Sequence, residues 1–222
     1  MIKNPVRLFL AQFMLLIYMC CPSLVRPGMG VAPPGLFLSL DCPCAILSVP
    51  ERVISAGGSH MIGNKMLDAI NEQIHRELYS EYLYLAMAAW FRSEGLDGFG
   101  HFFEKQAQEE HSHAMKFYHH LFERGGRVVL KAIEEPPRDF PGVVEVFEQS
   151  LEHERYITKS IHDLVDLAGT EKDHASASLL TWYVDEQVEE EAHMDEILGK
   201  LRMVKGNPQG LLMMDGKLGA RA

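Results

Sequence analysis

Beyond Cys44 the 222-residue chain has no cysteine, which excludes thiolate-bound zinc and iron–sulfur ligation from everything downstream. Proline is distributed just as unevenly, with seven of eleven before residue 61, so the remainder is poor in the residue that breaks helices. Cations are in deficit: 21 Lys and Arg face 31 Asp and Glu, for a net charge of −10. Residues 1–60 carry Lys3, Arg7, Arg26 and Arg52 against Asp41 and Glu51, which leaves −12 on the rest. So acidic a domain suits cations and argues against a nucleic-acid partner. With 47% hydrophobic and 23% charged residues, the chain has enough apolar mass for one core and too little charge bias for disorder.

Residues 1–60 thus read as an N-terminal extension, and residues 61–222 as one domain. Leu8 to Cys21, following Lys3 and Arg7, has the shape of a signal peptide's apolar stretch. It is shorter than the roughly 20 residues a helix needs to span a bilayer, and Leu16-Ile17-Tyr18-Met19 lacks the small residue expected before a lipidated cysteine. A start assigned too far upstream is the favoured explanation, with an expression or other artefact as a third. Gly57-Gly58-Ser59-His60-Met61 is what a purine-rich ribosome-binding site followed by ATG yields on translation. On that reading the protein begins at Met61 and is cytoplasmic; it is secreted or membrane-attached only if residues 1–60 are a genuine leader. No membrane partner is expected for residues 61–222.

What the later part does contain is long helical periodicity. Helices are predicted over about 64–93, 98–124, 142–168 and 172–205, with Asn64 and Asp97 at N-cap positions and Gly95, Gly125-Gly126, Gly169 and Gly206 as stops. In the second, Phe103, Ala107, Glu110, Ala114, Phe117 and Leu121 recur at steps of four and three, the core-facing stripe of an amphipathic helix. Glu110 therefore points inward, and His113 follows one turn on along that face. Leu67, Ile70, Ile74, Glu77, Tyr84, Ala88 and Phe91 form a first stripe interrupted by Glu77. Phe147, Leu151, Glu154, Ile157, Ile161 and Leu164 form another interrupted by Glu154. Leu180, Tyr183, Gln187, Glu190, Met194, Ile197 and Leu201 form a fourth, with two polar members three residues apart.

The interruptions stand at matched depth. At about 1.5 Å per residue, Glu77 and the Glu110–His113 pair both lie roughly 20 to 25 Å from the turn near Asp97. Glu154 and the Gln187–Glu190 pair are level in the same way about the turn near Thr170. An inward carboxylate without a partner costs several kcal/mol, so each is either satisfied by a neighbour or water or bound to a cation. Four interruptions at one level favour the cation, because one Glu from each of two helices with a Glu-x-x-His-type pair from each of the others is a known di-metal arrangement in four-helix bundles. Carboxylates with one imidazole select iron, manganese or magnesium over softer ions. Between the second and third helices, the 16 residues RVVLKAIEEPPRDFPG reach about 50 Å when extended, against about 40 Å for a 27-residue helix. They can cross the whole bundle.

At these residues the chain also resembles a known family, the non-haem ferritins of bacteria and archaea. NEQIHRELYSEYLY (71–84), AQEEHSH (107–113), EHERYITKSI (152–161) and WYVDEQVEEE (182–191) are similar, in order, to its four helix signatures. The resemblance covers about 61–222. It implies an all-α, ferritin-like four-helix bundle with one long crossover and a short C-terminal fifth helix. The implied activity is ferroxidase: Fe(II) oxidised by O2 or H2O2 at a di-iron centre, and Fe(III) stored as mineral in a homo-oligomeric shell of 24 subunits. No haem is expected. By the same resemblance Glu77, Glu110, His113, Glu154, Gln187 and Glu190 hold two irons, with Glu110 bridging. Glu109, Glu186 and Glu189, helped by Glu190, form a third iron site, with a solvated charge run as the plainer reading. Tyr84 matches a tyrosine beside the centre and acts as an electron donor or as an ordinary core tyrosine. Leu211, Leu212, Met213 and Met214 belong either to a four-fold interface or to a terminus folded on its own bundle.

The half with Gln187 and Glu190 lacks the second histidine. A neutral amide is a poor metal ligand, which suits iron that enters, is oxidised and leaves. The competing reading is a rubrerythrin-like di-iron peroxidase or oxidase that keeps its metals, and a bundle with no redox role is the third. Glu81 departs from the family's small residue and either adds a ligand or faces a helix groove. His111, His119, His120 and His153 read as surface or supporting groups, one of which could orient a ligand carboxylate. Glu171, Asp173 and His174 are candidates for a three-fold entrance.

Overall fold

The computed structural model describes residues 61–220, and the readings made for residues 1–60 lie outside them. Five helices follow in order: α1 (Asn64–Ser93), α2 (Asp97–Glu123), α3 (Val143–Glu171), α4 (His174–Met203) and α5 (Pro208–Gly219). Among the described residues there is no strand, and no helix is long and apolar enough to cross a membrane.

Glycine stops the first two helices as the sequence predicts. After α1, Leu96 N–H donates to the Phe91 carbonyl at 2.9 Å and Gly95 N–H to that of Arg92 at 3.2 Å, the paired bonds of a Schellman turn. That turn needs a left-handed residue, and Gly95 has φ +74°. Gly125, at φ +67°, ends α2 with the same two bonds, from Gly126 to Leu121 and from Gly125 to Phe122. Gly169 differs from expectation. It lies inside α3, which continues to Glu171, and Lys172 takes the left-handed position at φ 55°. The next helix starts at His174 because Asp173 caps it, accepting from Ser176 N–H at 3.1 Å.

Neither Asn64 nor Asp97 is a cap. Gly63 and Leu96 occupy those positions, and neither supplies a side-chain bond. For α2 an oxygen arrives from elsewhere in the chain: Asp215 Oδ1 on α5 accepts from Phe99 N–H at 2.9 Å. Asp97 pairs instead with Arg92 at 3.1 Å.

The long connection crosses the bundle along α1. Asn71, near the start of α1, donates to the Arg127 carbonyl at 3.0 Å and accepts from Val129 N–H at 2.7 Å. At the far end Phe140 meets the Trp90 ring with centroids 5.7 Å apart. This crossing sets α3 antiparallel to α1, so that Phe147 faces Phe91 and Ser160 bonds Gln73. Likewise α4 runs antiparallel to α2, pairing Glu190 with Gln106 and Ser176 with His120. The architecture is a four-helix bundle with one crossover.

Two separate apolar clusters fill it. One gathers Phe91, Phe99, Phe103, Phe147, Met194 and Leu201, the other Ile70, Ile74, Phe117, Ile161 and Leu180. On each of α1 to α4 the stripe passes from one cluster to the other through polar residues, so the clusters are divided by a polar layer. Helix α5 buries Met214 and Leu218 in its own bundle and leaves Leu212 and Met213 more than 60% exposed. It packs so closely on α2 that a Cβ on Gly98 would come within 1.8 Å of the Asp215 carbonyl oxygen. Gly98→Ala is therefore expected to undock α5, read as rapid proteolysis after Met203. Asp215→Ala is expected to cost roughly 1 kcal/mol through the lost cap, read by denaturant melts; two wild-type-like variants would contradict this packing.

Candidate metal centre

The polar layer is built by four helices at one height. From α1 comes Glu77, from α2 Glu110 and His113, from α3 Glu154, and from α4 Gln187 and Glu190. All six are buried. Each follows its apolar neighbours by helical spacing, so the fold turns it inward whatever its own preference for water.

Three of the six form a tight group. One ligand atom from each of Glu77, Glu110 and His113 lies within 4.8 Å of the others, and His113 Nδ1 is 3.6 Å from Glu110 Oε2. On the opposite side Glu154 accepts from Tyr84 OH and from Gln187 Nε2 at 3.2 Å. Because the Gln187 nitrogen is turned to Glu154, its oxygen is the end left for a cation. Glu190 Oε2 accepts from Gln106 Nε2 at 2.8 Å. The two halves differ in their ligand sets: two carboxylates and an imidazole draw together in one, while two carboxylates, bonded to Tyr84, Gln187 and Gln106, and the Gln187 amide make up the other.

Electrostatics follow from depth. Burial, followed by the charge of Glu154, pushes the Glu110 carboxyl well above the usual range. Burial raises Glu77 to about 7 and, with Glu154 nearby, Glu190 to about 8. Glu154 is raised by burial as well. His113 is lowered to about 4, by burial and then by Lys116, so its imidazole is neutral and ready to ligate. Oε2 of Glu77 is a buried acceptor with no amide, hydroxyl or amine donor, and the Glu77 and Glu110 carboxyls share a hydrogen bond only while a proton is held between them. A cation answers both conditions, since it neutralises crowded carboxylates and supplies the missing partner.

The remaining candidates are less concentrated. Glu186 is half-buried with Oε1 3.9 Å from His113 Nε2, and its pKa is raised by burial and then by Glu189 and Glu109. Glu109 is half-buried and Glu189 exposed. Glu186 senses the charges of Glu189 and Glu109, but among the described residues the three do not form a tight ligand group. Tyr84 is fully buried, with its hydroxyl committed to Glu154. Glu81 bonds His111 at 3.0 Å in an outer groove between α1 and α2, which makes it a groove residue. His153 bonds Ser80 at 2.8 Å and His120 bonds Ser176 at 3.0 Å, and His119 is exposed; none of these histidines is bonded to a ligand carboxylate. Glu171 is paired with Lys65 at 3.0 Å and Asp173 with Arg124 at 2.7 Å, so the turn between α3 and α4 spends two of its three candidate charges within the chain.

Two buried glutamines that the sequence did not single out are bonded to glutamates of the layer. Gln73 donates to Glu77 Oε1 at 2.8 Å, and Gln106 holds Glu190. Each stands four residues before a layer glutamate, on the same helical face. That spacing was the available signal.

Fold and layer together define a class: an all-α bundle with a candidate carboxylate and histidine metal centre in its core. The ferritin-like domain family model matches residues 67–204. The chain is similar to the bacterial non-heme ferritin of Bacteroides fragilis (strain 638R), 41% identical over 161 residues, covering 72% of this chain and all of that protein. It is 35% identical over 161 residues to that of Staphylococcus aureus (strain USA300), covering 72% of this chain and 97% of the relative. Among solved structures it resembles the open-pore ferritin of the hyperthermophilic archaeon Archaeoglobus fulgidus, with TM-score 0.72 and 48% identity over 72% of this chain and 99% of that one. The chain belongs to the ferritin family, and its relatives place it with the non-haem type.

The shifted groups set a pH dependence. His113 and His153, both lowered to about 4, add stability as pH rises toward their unfolded value near 6.5. The carboxyls act oppositely: the native state keeps protons that the unfolded chain has lost from pH 4.5 upward, so stability falls until the folded pKa is passed. Between pH 6.5 and 8 the histidine gain is over while Glu77 and Glu190 are still titrating. Metal-free protein is expected to lose stability across that window and recover it with excess Mn(II), read by denaturant midpoints in chelator. A flat or rising metal-free profile would contradict the layer's burial.

Proposed function

We propose that the protein is an iron-storing ferroxidase: two Fe(II) enter the polar layer, are oxidised there, and pass on as Fe(III) to a mineral held inside a homo-oligomeric shell of 24 subunits. The observation that carries this reading is the Glu77, Glu110 and His113 group, buried and gathered within 4.8 Å between two apolar clusters. The names of the relatives, non-heme ferritin in bacteria and ferritin in an archaeon, supply iron as the cation. Iron is the substrate here, and the chain's own groups do the rest.

In this reading Glu77 and His113 hold the first iron and Glu154 and Glu190 the second, with Glu110 between them and Gln187 beside the second. Two Fe(II) give one electron each, and O2 with two protons becomes hydrogen peroxide; with peroxide as oxidant the same two electrons and two protons give water. Carboxyls that hold protons until a cation displaces them are suited to release protons on binding. The apolar clusters on either side keep bulk water from the reacting atoms. Glu109, Glu186 and Glu189 extend the acidic set away from the layer and serve as a third iron position on the way to the mineral. Tyr84, bonded to Glu154, is the nearest candidate for an electron donor. The lone histidine and the amide in the second half favour passage of iron over its retention, which separates this reading from a rubrerythrin-like peroxidase. We assign the protein to the cytoplasm on this reading.

Addition of Fe(II) in air, followed by gel filtration and iron analysis, tests it. Expected is a very large particle retaining far more than two irons per chain. A small oligomer holding about two per chain would indicate retained metals, and no uptake would indicate a structural bundle. Glu110→Gln is expected to slow Fe(II) oxidation at least tenfold while raising metal-free stability at pH 8, because it removes a buried carboxyl. His113→Ala is expected to slow oxidation without that gain.

A further inference from the structure

The layer is held by more than its ligands. Gln73 is fully buried on α1, one turn before Glu77, and its amide nitrogen donates to Glu77 Oε1 at 2.8 Å. Which end of an amide is nitrogen is decided by its partners. Here the other end faces Arg76 Nη1 at 3.3 Å, and a guanidinium only donates, so that end is oxygen. Ser160 Oγ on α3 also lies 2.8 Å from that oxygen, sharing its single proton with the Ile157 carbonyl. The amide is therefore gripped from α1 and from α3, and its nitrogen has Glu77 to face.

The two oxygens of Glu77 are left in different conditions. Oε1 is occupied by Gln73, whereas Oε2 is buried with no amide, hydroxyl or amine donor. A carboxylate with one oxygen pinned offers a cation the other. Across the layer Gln106, also fully buried, treats Glu190 alike by donating to its Oε2 at 2.8 Å.

We propose that Gln73 is a positioning residue of the metal centre: it holds Oε1 of Glu77 so that Glu77 binds through Oε2 alone, and Arg76 and Ser160 hold Gln73 in that orientation. The inference rests on the reading that a cation occupies the layer, and it assigns Gln73 no contact with the cation. Its consequence is geometric. A one-oxygen Glu77 leaves a coordination position open for an incoming reactant, and a Glu77 free to turn would close it with its second oxygen. Partners of this kind, one bond behind the ligands, typically alter metal affinity by about 10- to 100-fold when removed.

Anaerobic Co(II) titration of the full chain tests this, with visible absorption as the readout of coordination. Gln73→Met keeps length and burial while removing the donor. It is expected to bind Co(II) about tenfold more weakly than wild type and to shift the ligand-field band as Glu77 adds its second oxygen. Arg76→Met, at the half-buried rim, is expected to move the band in the same direction by less. A folded Gln73→Met variant with wild-type affinity and an unchanged band would overturn the proposal. Should Gln73→Met fail to fold, an unchanged band in Arg76→Met overturns it by the same criterion. Failure of wild type to take up Co(II) at all would overturn the metal centre itself, and the inference with it.

Discussion

Four glutamates in the middle of an oily bundle are the constraint on which the rest of this structure depends. Glu77, Glu110, Glu154 and Glu190 are each at most 6% exposed, and carboxylates at that depth are stable only when protonated, hydrogen-bonded or bound to a cation. The fold uses its two apolar clusters to hold them there. Phe91, Phe103 and Phe147 pack on one side of the layer, and Phe117 stacks on Tyr183 at 4.0 Å on the other. A bundle that only needed to fold would place leucine at these positions.

The partners of each carboxylate divide the layer into unequal parts. Tyr84, Gln187, Gln73 and Gln106 are neutral donors that hold three of the glutamates by one oxygen or both. Glu110 is raised by burial and then by the charges of Glu154 and Glu77 between which it stands. The same arrangement that destabilises the empty layer at neutral pH is the one that makes it receptive, so stability and affinity are opposite faces of a single desolvation cost.

Much of this was legible in the sequence because helices repeat and cores are apolar. A glutamate that falls on a stripe such as Phe103, Ala107, Ala114, Phe117 has its direction fixed by its neighbours, and counting from the turns fixes its height. The crossover was legible from length alone. The features that escaped were tertiary. The cap of α2 comes from Asp215, 116 residues beyond Phe99, and local preference for Asp97 carried no hint of it. Gly169 reads as a stop, yet α3 goes on because Lys172 accepts the left-handed turn and Asp173 caps α4. Gln73 and Gln106 were visible as polar residues on buried faces, but their partners lie one turn along or on another helix. For Glu109, Glu186 and Glu189 a charge run beside the layer has the same sequence whether it holds an ion or only water.

The central claim, that the polar layer is where the cation sits, is tested most directly by anomalous diffraction from crystals loaded with Fe(II) under nitrogen. The account predicts two anomalous peaks between the apolar clusters, with Glu110 in contact with both and His113 in contact with one. Peaks confined to the outer carboxylates, with no peak in the layer and its glutamates held only by Gln73, Tyr84, Gln106 and Gln187, would contradict it.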